Sequence, residues 1–302
     1  MAGFQSMDDF INQITTNGKF WRTDWNKNFL PTTAAVAGEW FCLLRGSGNP
    51  SSDTIMNVGT NLVFQALSGT TAGINSISAG PDVSGGTGYK HLINASAFTA
   101  AATTMPAILM LIDVLGFYRV TTTTTTGDQA LTNGVTLPRY VDGKGVQCFI
   151  YANNATPLGA ATPNISMTYT RVQGGTSVTP TGAALPVGKT AANNGVILYS
   201  GVGVGKYGPF MPMADGDSGM QNVTKINLST SYLSGEFSIV LCKPLLTLPM
   251  TTLGVAAERD LLNQVPSLPK IYDGSCLIWL LYNGAATPVN SSFYGHLDFG
   301  WS

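Results

Sequence analysis

A nearly unbroken apolar run, Cys276-Leu277-Ile278-Trp279-Leu280-Leu281, stands between Gly274 and Asn283-Gly284. A short apolar run with turn formers at both ends suits a strand buried on both faces. Farther on, Phe293, Leu297 and Phe299 alternate with Tyr294, His296 and Asp298, the period of a strand with one core face. The two segments, joined by the turn-rich 283–288, predict a closing core hairpin. Ile165, Met167 and Tyr169 alternate with Ser166, Thr168 and Thr170 in the same way. Further strands are expected at 40–44, 60–67, 107–115, 146–152, 196–200, 223–228 and 236–243. The Pro-bounded stretch 245–249 reads as a connection.

Helical periodicity is confined to two places. Over residues 5–17, Ser6 can cap with Asp9 three positions on, and Asp8 and Asp9 suit the positive end of the helix dipole. Phe10, Ile11, Ile14 and Met7 would form its apolar face, and Gly18 its stop. A second short helix is expected at 255–264, ended by Val265-Pro266. The fold class is therefore mainly β: an antiparallel β-sandwich or jelly-roll-like body with a short N-terminal helix and one short late helix. Its division is 1–29, helix and docking arm, and 30–302, β-sandwich body. Within the body, 68–104 and 173–190, rich in Gly, Ser, Ala and Thr, read as long loops. The threonine run 121–126 reads as an exposed edge or an arm. Asp113, inside an apolar strand, needs a buried partner.

Composition sharpens this picture. Only 10% of the 302 residues are charged, against about 25% in ordinary soluble proteins, and the net charge is −1. Uncharged polar surfaces suit packing against other copies or partners, since little charge must be desolvated. All-β chains also use Gly, Thr and Ser heavily for strands and turns. Lys and Arg are scattered singly, so a nucleic-acid groove is not expected. No apolar stretch reaches the ~20 residues of a membrane span, and the N-terminus lacks a signal pattern. Cys42, Cys148, Cys242 and Cys276 are far apart in apolar contexts and read as buried reduced thiols.

Motifs with chemistry are few. Gly216-Asp217-Ser218-Gly219 matches the nucleophile loop of chymotrypsin-like serine proteases, but Met220 stands where they continue with Gly. A triad of Ser218 with His296 and Asp298, which share one strand face, would make a serine hydrolase; a polar turn is the plainer reading. Asp215 and Asp217 could help hold Ca²⁺, or be solvated turn acids. Gly188-Lys189-Thr190 lacks the leading Gly of a phosphate-binding loop, and Gly201-Val202-Gly203-Val204-Gly205 lacks the following helix. No cofactor, metal or small-molecule substrate is implied. The densest functional candidate is Phe20, Trp21, Arg22, Asp24, Trp25 and Phe29: either a core-edge clamp or a docking arm, since aromatics with Arg are typical interface anchors.

Two blocks carry a family resemblance. One is Met1-Ala2-Gly3-Phe4-Gln5-Ser6-Met7-Asp8-Asp9-Phe10 with Thr16-Asn17-Gly18-Lys19-Phe20-Trp21-Arg22-Thr23-Asp24-Trp25-Asn26-Lys27. The other is Ala257-Glu258-Arg259-Asp260-Leu261-Leu262-Asn263-Gln264-Val265-Pro266-Ser267-Leu268-Pro269. With these the chain resembles a family of tailed-bacteriophage virion proteins of about this length encoded among the head genes. The resemblance implies a head decoration (cement) or minor capsid protein, made in the bacterial cytoplasm and resident in the virion. Its partners would be the major capsid protein and further copies of itself, a trimer favoured. A tail, neck or fibre-adaptor role is the alternative.

Overall fold

The computed structural model describes residues 4–29, 37–69, 74–83, 89–101, 105–132, 134–153, 158–159, 161, 163–179, 185–186, 195–198, 208–264, 268–285 and 291–302. The protein is mainly β, and its strands form three antiparallel sheets. The first runs Ala257–Asp260, Tyr89–Thr99, Ser292–Gly300, Phe20–Asn28, Gly48–Asn49, with Lys270–Tyr272 also on Tyr89–Thr99. The second runs Ile197–Leu198, Gln147–Asn153, Glu236–Met250, Ala107–Val120, Leu277–Asn283, Glu39–Cys42, with Phe64–Ala66 also on Ala107–Val120. The third runs Ser177–Val178, Asn164–Arg171, Met220–Leu228, Gly127–Ala130, with Leu185–Pro186 also on Asn164–Arg171.

The second sheet lies between two cores. One of its faces, including Leu109, Leu111, Ile150, Leu277 and Trp279, shares a core with both other sheets. Its other face, including Ile112, Val114, Phe149, Val240 and Ile278, forms a second core with Met56, Leu67 and Ile74 from the connecting segments. The ends of this sheet meet: Phe41 and Val196 form an antiparallel bridge, and Cys42 N donates to Gly195 O at 2.8 Å. Leu277–Asn283 is buried on both faces, as its apolar run predicts.

The predicted closing hairpin does not form. Leu277–Asn283 pairs with Ala107–Val120 and Glu39–Cys42, whereas Ser292–Gly300 pairs with Tyr89–Thr99 and Phe20–Asn28. A strand apolar on both sides needs cover on both, and a strand with one core face does not; the two belong to different layers. Their two sheets face each other across the core instead, where the ring of Trp279 lies 5.1 Å from that of Trp25 on Phe20–Asn28.

Other expectations are corrected by tertiary context. Within the loop expected at 68–104 lies the eleven-residue strand Tyr89–Thr99, while 70–73, 84–88 and 102–104 fall outside the described residues. The strand's core positions Ala95 and Ala97 are small, so its apolar signal is weak. Of the loop expected at 173–190, the described parts include the short strands Ser177–Val178 and Leu185–Pro186, and 180–184 and 187–190 lie outside the described residues. The strand expected at 196–200 is seen as Ile197–Leu198, with 199–200 likewise outside. At 60–67 only Phe64–Ala66 is strand. The connection expected at 245–249 continues the strand Glu236–Met250. Beyond Cys242 that strand has Ala107–Val120 on one side and no longer pairs with Gln147–Asn153, so Pro244 and Pro249 cost no ladder bond on the open side. The helix expected at 255–264 is the edge strand Ala257–Asp260 followed by one turn, Leu261–Gln264, where Asp260 Oδ1 accepts from Leu262 N at 3.0 Å. Nor is the threonine run an exposed edge throughout: Thr123 is buried, and its hydroxyl donates to Gly235 O at 2.6 Å.

The N-terminal helix is shorter than its pattern, an α-turn at Met7–Ile11 continued by a π-turn at Asn12–Thr16. The cap is as expected: Ser6 Oγ accepts from Asp9 N at 3.0 Å, and the Asp9 carboxylate accepts from Gln5 N at 2.9 Å. Gly18 ends it at φ +64°, in the left-handed region. Phe4 packs on Phe10 and on His91, with centroids 4.9 and 5.6 Å apart, and Ile14 lies over Gly300. Met7 and Ile11 do not join that face; they are 56% and 50% exposed.

The partner that Asp113 requires is Arg139. Its Nε and Nη2 donate to the two carboxylate oxygens at 3.0 and 2.7 Å. Ser275 Oγ and Cys276 N fill the remaining acceptor positions at 3.0 and 2.8 Å. Arg139 also donates to Leu67 O and Val114 O, at 2.9 and 2.7 Å. Both side chains are buried. Arg139→Met leaves an uncompensated buried carboxylate and should destabilise the protein by about 3–5 kcal/mol in guanidinium unfolding. Adding Asp113→Leu should restore much of that loss; no recovery in the double variant would contradict the argument.

Candidate functional site

Strand alternation sorts the first sheet into an inner and an outer face. Trp25, Phe29, Ala95, Ala97, Phe293, Leu297 and Phe299 fill the core. A Cβ on Gly295 would lie 2.9 Å from Trp25 Cζ2, so the indole needs glycine opposite it. On the outer face, strand register aligns three rows: Arg22, Asp298, Asn94; Asp24, His296, Ser96; Asn26, Tyr294, Phe98. Glu258 on the edge strand continues the second row.

The rows are cross-linked. Arg22 Nε and Nη2 each donate to one Asp298 oxygen at 2.7 Å, a bidentate pair. This hydrogen bonding holds the Arg22 guanidinium above its usual pKa. His296 Nδ1 lies 2.8 Å from Ser96 Oγ, and its Nε2, 3.9 Å from Asp298 Oδ2, is buried without a hydrogen-bond partner among the described residues. Asn94 Nδ2 donates to Glu258 Oε1 at 2.8 Å. The Phe98 and Tyr294 rings stack at 5.4 Å and 26°, and both are more than one-third exposed. A shallow groove of about 340 Å³ lies over Asp24, Asn26, Asn49, Ser96, His296 and Tyr294.

The six predicted partner-binding residues do not form one surface. Residues 20–28 are a strand inside the sheet, bonded to Ser292–Gly300 along their whole length, so they are no separate arm. Trp25 and Phe29 point into the core at 3% and 1% exposure, Phe29 with its ring 4.7 Å from that of Phe41; neither can anchor a partner in this state. Arg22 and Asp24 belong to the outer face, while Phe20 and Trp21 are partly exposed at the strand's start. Trp21 rests on Gly80, where a Cβ would come within 2.5 Å of its ring, and donates through Nε1 to Thr23 Oγ1 at 2.7 Å. Ser96, Phe98 and Asn49 were not singled out by sequence reasoning. The signal for Ser96 and Phe98 is the alternation of Asn94, Ser96 and Phe98 with two alanines, and Asn49 has none of that kind.

The serine-hydrolase geometry is overturned. Ser218 Oγ accepts from Gln173 Nε2 at 2.9 Å, and both Asp217 oxygens are taken by Tyr169 and Arg171. That engagement also removes Asp217 as a free Ca²⁺ ligand. The chain's two histidines, His91 and His296, both lie in the first sheet, whereas Ser218 precedes the strand Met220–Leu228 of the third. Gly188-Lys189-Thr190 and residues 201–205 fall outside the described residues.

Lys27 is another unforeseen arrangement. Its buried ammonium donates to Gly46 O at 2.7 Å and Pro50 O at 2.9 Å, with Ser51 O and Leu44 O at 3.3 and 3.4 Å. Burial lowers its pKa to about 8. No helix among the described residues is long and apolar enough to cross a membrane.

No protein-family model and no curated protein matches the chain. Among solved structures it is similar to VP2 of infectious bursal disease virus in a subviral particle, with TM-score 0.22 and 8% identity, covering 98% of this chain and 87% of that one. A point mutant of the same VP2 in derived T=1 particles gives TM-score 0.21 and 10% identity, covering 100% and 84%. A superposition this loose carries no argument about function.

All four cysteines are free and buried. Burial pushes Cys42 and Cys276 from the ordinary 9.0 up to about 12. Between these values the folded thiols keep protons that unfolded ones lose, so stability falls as pH rises above 9. The slope is about 1.4 kcal/mol per pH unit for each thiol. Cys42→Ala should flatten the fall between pH 9 and 11 by that amount in urea unfolding; an unchanged slope would refute the assignment.

Proposed function

We propose that the protein is a structural component of a virus particle, a decoration (cement) or minor capsid protein that docks on the coat lattice of a tailed-phage head. The observation that supports this most is a set of exposed apolar side chains near one end of the first sheet. Met7 and Ile11 are half exposed on the N-terminal helix, and Phe20 and Trp21 are 36% and 41% exposed at the start of the adjoining strand. Ile14 lies against Gly300, the cross-strand partner of Phe20, so helix and strand start share one end of the sheet. In a chain with so few charges, such a surface associates at little desolvation cost. Many copies, each burying a modest apolar area on the major capsid protein and on neighbouring copies, would brace the shell against outward pressure.

The test is removal of residues 1–17. This takes away the helix and leaves every strand of the first sheet, whereas a cut at residue 29 would remove a sheet strand. The truncated protein should keep its near-ultraviolet circular dichroism and lose co-sedimentation with empty heads. Undiminished co-sedimentation would overturn the docking role. Light scattering that finds large rings or fibres indifferent to heads would move the protein to the tail or neck.

A further inference from the structure

The groove on the outer face of the first sheet stands apart from the N-terminal end invoked above, and we infer that it is a binding site for a neutral saccharide. A sugar ring is amphipathic: one face presents C–H groups and its rim presents hydroxyls. The groove offers both complements. The stacked Phe98 and Tyr294 rings, both more than one-third exposed, give the groove an aromatic wall. One row along the strands, about 6.8 Å away, stand Asp24, His296 and Ser96. A pyranose against Tyr294 therefore carries its hydroxyls to that row.

The polar groups there suit hydroxyls. The exposed Asp24 carboxylate accepts two O–H donors. The His296 ring lines the groove beside Asp24, held by the 2.8 Å contact of its Nδ1 with Ser96 Oγ. Asn26 and Asn49 close the side opposite the ring, and Asn49 is held there by its amide Nδ2 on Asp24 O at 3.1 Å.

Charge selects the class of sugar. The cation beside the groove, Arg22, is already paired with Asp298, while Asp24 lines the groove and Glu258 flanks it. An anionic sugar would meet two carboxylates beside a guanidinium already hydrogen-bonded to a third, so a neutral one is favoured. The aromatic wall and the preformed hydrogen-bonded rows keep the site assembled without ligand.

Saturation-transfer difference NMR with the methyl glycosides of glucose, galactose, mannose and N-acetylglucosamine tests this, with sialic acid and glucose 6-phosphate as charged controls. At least one neutral glycoside should receive saturation, strongest on the C–H protons of one ring face. Tyr294→Ala and Asp24→Asn should each weaken binding about tenfold at unchanged melting temperature. The inference fails if no neutral glycoside binds at millimolar concentration, if the charged sugars bind equally well, or if both variants bind like the parent. None of these outcomes depends on docking to heads.

Discussion

The buried pair of Asp113 and Arg139 is the constraint around which the two cores are arranged. Asp113 sits on Ala107–Val120, the strand flanked by Glu236–Met250 and Leu277–Asn283 in the second sheet. A carboxylate there is tolerable only because all its acceptor positions are filled. Filling them draws together the segment before Leu277–Asn283, the carbonyl of Leu67 and the turn that bears Arg139. The ladder between Ala107–Val120 and Glu236–Met250 slips by one residue beside it, where Cys242 faces Val114 and Leu241 faces Gly116. An apolar pair of similar volume could fill the same space, but would not demand one relative placement of those segments. The stabilisation from the pair is small; its value is in specifying a single arrangement.

The outer face of the first sheet follows from the packing of its inner face. A side chain at Gly295 would run into Ser96 O and the Trp25 ring, and Ala95 and Ala97 belong to the same core. That arrangement pins the register between Phe20–Asn28, Ser292–Gly300 and Tyr89–Thr99. Once the register is pinned, alternation alone brings Arg22 to Asp298 and His296 to Ser96. The polar rows are thus a by-product of core fit, and their precision comes from rigid strands rather than loops.

Parts of this were legible in the sequence, for local reasons. The run 276–281 declares a strand covered on both sides, the alternation at 293–299 a strand covered on one, and Ser6 with Asp9 a helix start. Asp113 advertises its need for a partner, though nothing local points to Arg139. What could not be read is which strands are neighbours. The hairpin expected between 277–283 and 293–301 was the shortest connection, yet layer demand outweighed proximity. Trp25 and Phe29 resembled interface anchors because aromatics next to charges occur both at interfaces and on two-faced strands. Only the pairing shows that alternate residues of 20–28 part company. Tyr89–Thr99 was hidden because two of its core positions, Ala95 and Ala97, are too small to mark a strand. The rows at Ser96 and Phe98 were hidden with it.

Phe20–Asn28 lies directly against Ser292–Gly300, and Arg22 clasps a residue 276 positions away. On a ribosome, the earliest strand of this sheet finds only the two-residue Gly48–Asn49 nearby and must wait for Ser292–Gly300 before its full ladder can form. Until then it is an amphipathic segment with aromatic residues bare to the surroundings. Such late, long-range closure is slow by nature, since the loop entropy is lost before the contacts form. During that interval its backbone edge is open to the same segment of another nascent chain.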